Sequence, residues 1–257
     1  MIPEGNGGFL LKPIRPSEVT ADDEKEGYEI GFAFEKNPSL VYCSEGSTTT
    51  INMTFSPARQ ITGVALINHN LHESASILLR FYDTGGFSTP IVEKNIPWHR
   101  KNIYINIKDN PAYQYVQIQI TVPSGNIQIG VIFPGTSFQF PYNFAWGYEE
   151  EFCVTKEVDT TDYGVHFETP DPYDEAESAE TVGEYEKFKI DFDNIPSEHY
   201  SSFFDLIRPG KKVFIPSFSK PGCHYGIVPD KNLAASKYRG IDKYSIRFWE
   251  DAIGETQ

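Results

Sequence analysis

AYQYVQIQITV, residues 112–122, decides the fold class. From Val116 to Val122 apolar and polar residues alternate, placing Val116, Ile118, Ile120 and Val122 on one side and Gln117, Gln119 and Thr121 on the other. Side chains of a strand project alternately to its two faces, so this period of two predicts a strand with one face in a core and the other toward water. An antiparallel sheet is the arrangement that tolerates one wet face.

Similar short runs recur on both sides: EIGFAF, TTTINMTF, ITGVALIN, SASILLRFY, NIYINI and NIQIGVIF. They are rich in β-branched and aromatic residues and carry no helical period. Turn signals such as TGG at 84–86 and PSGN at 123–126 separate them. The pattern predicts a mostly β protein built as an antiparallel β-sandwich. GVALI and VIF are apolar throughout, as expected of central strands covered on both sides.

Outward from this region the chain divides into three expected parts. Residues 1–27 mix Gly, Pro and charge and predict an extended N-terminal arm ordered by a neighbour. Residues 28–146 form the sandwich. Residues 147–257 form a smaller, β-rich α+β domain with an exposed acidic loop at 169–180. Its one helix is expected near 196–207, where Pro196 and Ser197 can start a helix and Tyr200, Phe203, Phe204 and Ile207 share a face before Pro209 and Gly210 stop it.

The 257 residues carry a formal charge of −14, unevenly spread. Residues 1–147 hold 10 Lys and Arg against 13 Asp and Glu, whereas residues 148–257 hold 12 against 23. A negative surface without a basic stripe argues against nucleic acid as a ligand. The three cysteines are widely spaced and form no CxxC, which predicts neither a disulfide framework nor a zinc ribbon. No secretion signal is read at the N-terminus, and no apolar run approaches the length of a membrane span, so membrane insertion is not expected.

ITGVALINHNLH, residues 61–72, raises the sharpest chemical question, because an apolar strand runs into HxxH flanked by asparagines. On a strand or tight turn His69 and His72 point to different sides, unlike the i, i+4 pair of a helical zinc site. Asn68, His69 and Asn70 are therefore expected to form a strand-ending corner, since asparagine tolerates left-handed backbone and bonds neighbouring amides. No GxSxG, HExxH or paired-carboxylate motif is present, so neither an enzyme nor a cofactor is expected. Trp98, His99 and Arg100 in IPWHRKN are the candidate carbohydrate contacts; FQFPYNFAWGY at 138–148 reads as core-facing strand.

ITGVALINHNLHESASILLRFYD, residues 61–83, resembles the discoidin-like, galactose-binding-type jelly-roll domain of tail and baseplate proteins from tailed bacteriophages. AYQYVQIQITVPSGNIQIGVIFPG, 112–135, is similar to that family's aromatic, β-branched strand and the Gly-containing apolar strand after it. NPSLVYCSEGSTTTINMTF, 37–55, stands where the family has a segment usually containing Trp, and it lacks one. WGYEEEF, FDLIRPGKKVFIPSF, YGIVPD and KYSIRFWED in the second half resemble the C-terminal part of such proteins.

The resemblance implies a non-enzymatic structural component of the virion, a minor or distal protein at the tail tip or baseplate, synthesised in the host cytoplasm. Its implied partners are tube, hub, fibre or adaptor proteins, with copies of itself in a homo-oligomeric ring. The alternative implied by the same fold is a carbohydrate-binding module for host-surface adsorption, with a host glycan as ligand.

Overall fold

A computed structural model describes residues 9–35, 37–100, 102–107, 111–139, 149–155, 159–161, 164–166, 183–193, 210–215, 223–228, 234–238 and 241–250. The chain forms two compact units. One comprises Leu11–Ser137 with Ser219–Cys223, and the other Met1–Leu10, Phe138–Phe218 and His224–Gln257.

The first unit is an antiparallel β-sandwich. One sheet runs in the order β2 (Glu18–Ala21), β4 (Thr48–Gln60), β9 (Ala112–Thr121), β6 (Ser76–Tyr82) and β7 (Val92–Asn95). The facing sheet places β1 (Phe9–Pro13), β10 (Gln128–Gln139), β5 (Gly63–His69) and β8 (Ile103–Asn106) side by side, with the short β3 (Tyr42–Cys43) also on β10. β9 is the middle strand of its sheet. Ile118 pairs with Ile51 on β4 and Leu79 on β6, and all three are inaccessible to solvent. Each such aliphatic side chain contributes about 1.5–3 kcal/mol through burial.

From the second sheet Val64, Leu66, Ile103, Ile105, Ile129 and Ile132 join the same core. β5 lies between β10 and β8, with Leu66 opposite Ile132 on one side and Ile103 on the other. A central strand covered on both faces accounts for the unbroken apolar run GVALI.

The face of β9 that the sequence assigns to water is less wet than its pattern implies. Gln117 is only 7% exposed. Its Nε2 donates to Asn52 Oδ1 at 2.9 Å, and its Oε1 accepts from the Tyr82 hydroxyl at 2.9 Å and from Arg80 Nη1 at 3.3 Å. Arg80 also pairs with Glu93. A buried amide is tolerable only when so satisfied, and here the partners come from the two strands that flank β9.

Two expectations are corrected at the N-terminal side. Much of the expected 1–27 arm belongs to the sandwich: Glu18–Ala21 ladder onto Thr54–Ile51, and Leu11 is fully buried. Backbone pairing and burial hold it, and the compact unit takes in Leu11–Ser137. EIGFAF is a 3-10 turn over Ile30–Phe34, not a strand. Ile30 and Ala33, three residues apart, are the buried pair, as that helix's period requires, and Glu24 Oε1 accepts from the Ile30 N–H at 3.2 Å.

In the second unit β11 (Glu149–Thr155), β14 (Gly183–Asp193), β18 (Ile241–Glu250), β16 (His224–Val228) and β15 (Gly210–Ile215) pair antiparallel in that order, with β17 (Ala234–Tyr238) also on β18. β12 (Asp159–Thr161) and β13 (Gly164–His166) form a separate two-stranded ladder. This unit is β-rich, as expected. The acidic loop at 169–180 and the helix at 196–207 lie outside the described residues, as do the side chains of 138–148.

Candidate functional site

One end of the sandwich gathers the links β5–β6, β7–β8 and β9–β10 with the segment before β3, and asparagines tie them together. The last residue but one of β5 is Asn68, whose φ of 50° lies in the left-handed region that asparagine enters more readily than most residues. Its N–H donates to Asn102 Oδ1 at 3.1 Å and its Nδ2 to the Pro38 carbonyl at 2.8 Å. Gly130 on β10 sits beneath this junction: a Cβ there would lie 2.4 Å from the Pro38 oxygen, closer than any carbon side chain can approach.

Asn70 binds the β9–β10 link. Its Nδ2 donates to the Asn126 carbonyl at 3.0 Å, and its Oδ1 accepts from the Gln128 N–H at 2.8 Å. Asn126 in turn donates through Nδ2 to Cys43 Sγ at 3.1 Å. Asn102, 3% exposed, also donates to the Cys223 carbonyl at 3.0 Å. Sequence reasoning singled out neither Asn102 nor Asn126. The only trace of Asn102 is a polar residue at the head of the apolar run NIYINI.

The histidines behave differently from each other. His69 Nδ1 accepts from the Leu71 N–H at 3.2 Å, which places the neutral ring's proton on Nε2. That nitrogen is buried with no hydrogen-bond partner. Burial, and then the neighbouring His99, lower the His69 pKa to about 4; the His99 backbone favours the protonated ring and offsets this only in part. His72 is exposed and turns back on its own link, with Nδ1 and Ser74 Oγ 2.9 Å apart. Among the described residues no three His, Cys, Asp or Glu side chains gather as a ligand set for a metal ion.

Trp98 links the β7–β8 connection to the corner. Its Nε1–H donates to the Leu71 carbonyl at 2.7 Å, and its ring is partly buried against the core. His99 is half-buried and Arg100 exposed, as are His72 and Glu73 across that bond. The structure therefore brings the His69 corner and the Trp98–Arg100 segment into one cluster. The arrangement offers a fixed indole with charged and polar side chains on the two segments it joins. An aromatic ring and a few directed polar groups are what binding of a small polar ligand requires.

No family model and no curated protein matches this chain. Among solved structures it is similar to a fucose binding module of Streptococcus pneumoniae, at 9% identity and a TM-score of 0.40, over 49% of this chain and 95% of that one. Chitosan-binding module 1 of a chitosanase/glucanase from Paenibacillus sp. IK-5 matches at 16% identity and a TM-score of 0.39, over 48% and 96%. The lectin binding domain of lectinolysin matches at 7% identity and a TM-score of 0.40, over 47% and 92%.

Proposed function

We propose that the sandwich is a non-catalytic recognition module that binds a saccharide at its asparagine-tied end, with Trp98, His99 and Arg100 as contacts. The observation that carries this reading is the 2.7 Å bond from Trp98 Nε1 to the Leu71 carbonyl. It fixes an aromatic ring between two connections that are themselves anchored, so little loop ordering remains to oppose binding. Arg100 and Glu73 supply a donor and an acceptor on either side of that bond, as a polyhydroxylated ligand needs.

A glycan array probed with the full chain tests the proposal, followed by titration of the best glycan against Trp98→Ala and Arg100→Ala. Because Trp98 also packs on the core, Arg100→Ala is the cleaner variant: its side chain is exposed, and its loss should weaken binding without moving the melting temperature. A blank array, or undiminished binding by both variants, removes the reading.

A second reading, a structural component of a phage tail, is supported by the segments that carry the family resemblance. The stretches 61–83 and 112–135 contribute β5 and β10, which pair with Ile129 opposite His69 at the corner. On this reading the chain is a ring-forming tail-tip or baseplate protein, and its saccharide site would serve host adsorption. Imaging of assembled particles with the chain labelled tests it. A label absent from the tail, or a chain that stays monomeric beside its tail partners, sinks it.

A further inference from the structure

On the flank of the sandwich, lined by none of the residues of the asparagine-tied end, a groove of about 560 Å³ lies between β2 and the 3-10 turn. Val19, Phe32, Phe34 and Leu40 supply apolar surface, and Leu40 is 42% exposed. Glu18, Glu29 and Glu35 share the lining with a single cation, Arg15, which pairs with Glu35 at 3.2 Å. Glu18 and Glu29 have no ion-pair partner among the described residues. The groove is thus apolar in part and carries two uncompensated negative charges.

Its wall is also a sheet edge. β2 pairs only with β4 among the described strands, and the Asp22 N–H donates to the Thr50 carbonyl at 3.2 Å. In an antiparallel ladder, hydrogen-bonded pairs recur every second residue, so Thr20 and Glu18 direct their main-chain groups toward β4. Val19 and Ala21 then direct theirs away from it, toward the open edge. An open strand edge is a template for one more strand, and neighbouring hollows select its side chains.

We infer that this groove binds an extended peptide of a partner protein in which apolar residues alternate with Lys or Arg, added as a strand along Val19 and Ala21. Alternation at a period of two sends one set of side chains to the apolar floor and the other toward Glu18 and Glu29. Charge selects this occupant over a second copy, because the chain carries −14 overall and offers a like-charged surface to itself. The inference does not depend on saccharide binding at the other site.

The test is a fluorescence-anisotropy titration of the full chain with labelled acetyl-Lys-Val-Lys-Val-Lys-Val-Lys-amide, beside the charge-matched peptide with Ser in place of Val. Saturable binding of the Val peptide, weakened about tenfold or more by Glu18→Lys with Glu29→Lys, supports the proposal. Val19→Pro should also weaken it, since it removes an outward N–H at an edge position where proline is tolerated. Unaltered circular dichroism and melting of the variants ensure that loss of binding reports the groove.

Equal binding of the Ser peptide would reduce the effect to surface charge and overturn the proposal, as would no binding of either peptide. Self-association of the unliganded chain that Glu18→Lys abolishes would overturn it in favour of a second copy.

Discussion

Asn70 and Gln128 hold each other through two hydrogen bonds. The Asn70 Oδ1 accepts from the Gln128 N–H at 2.8 Å, while the Asn70 N–H donates to the Gln128 carbonyl at 3.3 Å. A short side chain here completes a ladder that the backbone alone leaves unfinished, and its Nδ2 reaches on to Asn126. Asn70→Ala deletes both side-chain bonds at an exposed site. It should cost about 1–2 kcal/mol, read as a lower urea midpoint, with Asn70→Asp restoring part because the acceptor for Gln128 is kept. Wild-type stability in the Ala variant would show that the clasp contributes nothing.

Protonation at the corner gives a second prediction. Folding keeps the His69 ring neutral down to about pH 4, whereas the unfolded chain takes up that proton near pH 6.5. The stabilisation is therefore fully present above about pH 6.5 and is lost as pH falls toward 4. Between pH 7 and pH 5 the loss from this one group is on the order of 2 kcal/mol. Comparing urea midpoints at the two pH values for wild type and His69→Asn isolates it from the carboxylates. The variant should show the smaller pH dependence, and equal dependence in both would rule out this role.

Gln117 is the third case. Replacing it with Leu leaves the Tyr82 hydroxyl and the Asn52 carboxamide without the partner they now share. The expected cost is about 1–3 kcal/mol, despite the gain in apolar surface, because desolvated polar groups lose bonds that water cannot restore. Thermal unfolding within experimental error of wild type would mean that water replaces the amide.

Tyr104 should behave in the opposite way. Its hydroxyl is buried with no hydrogen-bond partner. Burial, and then the Cys223 thiol, push its ionisation well above the usual tyrosine range; Ser137 stands close enough to oppose them without completing a hydrogen bond. Tyr104→Phe removes an unsatisfied group and keeps the ring that covers Gly63, so stability should hold or rise by up to about 1 kcal/mol. A fall of similar size would reveal a bond formed by that hydroxyl in solution.

The sandwich was legible because burial of strands imposes a period of two. Val116, Ile118 and Ile120 announce both the strand and its inward face, and the unbroken run at 64–67 announces a strand covered on both sides. EIGFAF misled because its composition suits a strand while the buried pair, Ile30 and Ala33, follows the spacing of a 3-10 turn. The expected arm misled for a related reason: Gly, Pro and charge disfavour an isolated strand, yet residues 18–21 gain their order from β4, 30 to 36 residues away.

Composition and alternation by themselves determined the sheets, because the preference of apolar side chains for a core acts on every residue and leaves a local record. Only the tertiary structure decided that Asn102 meets Asn68, that Trp98 meets Leu71 and that Gln117 is buried in polar company. Those bonds join positions 27 to 65 residues apart, and directional pairing of that kind leaves no period in the chain.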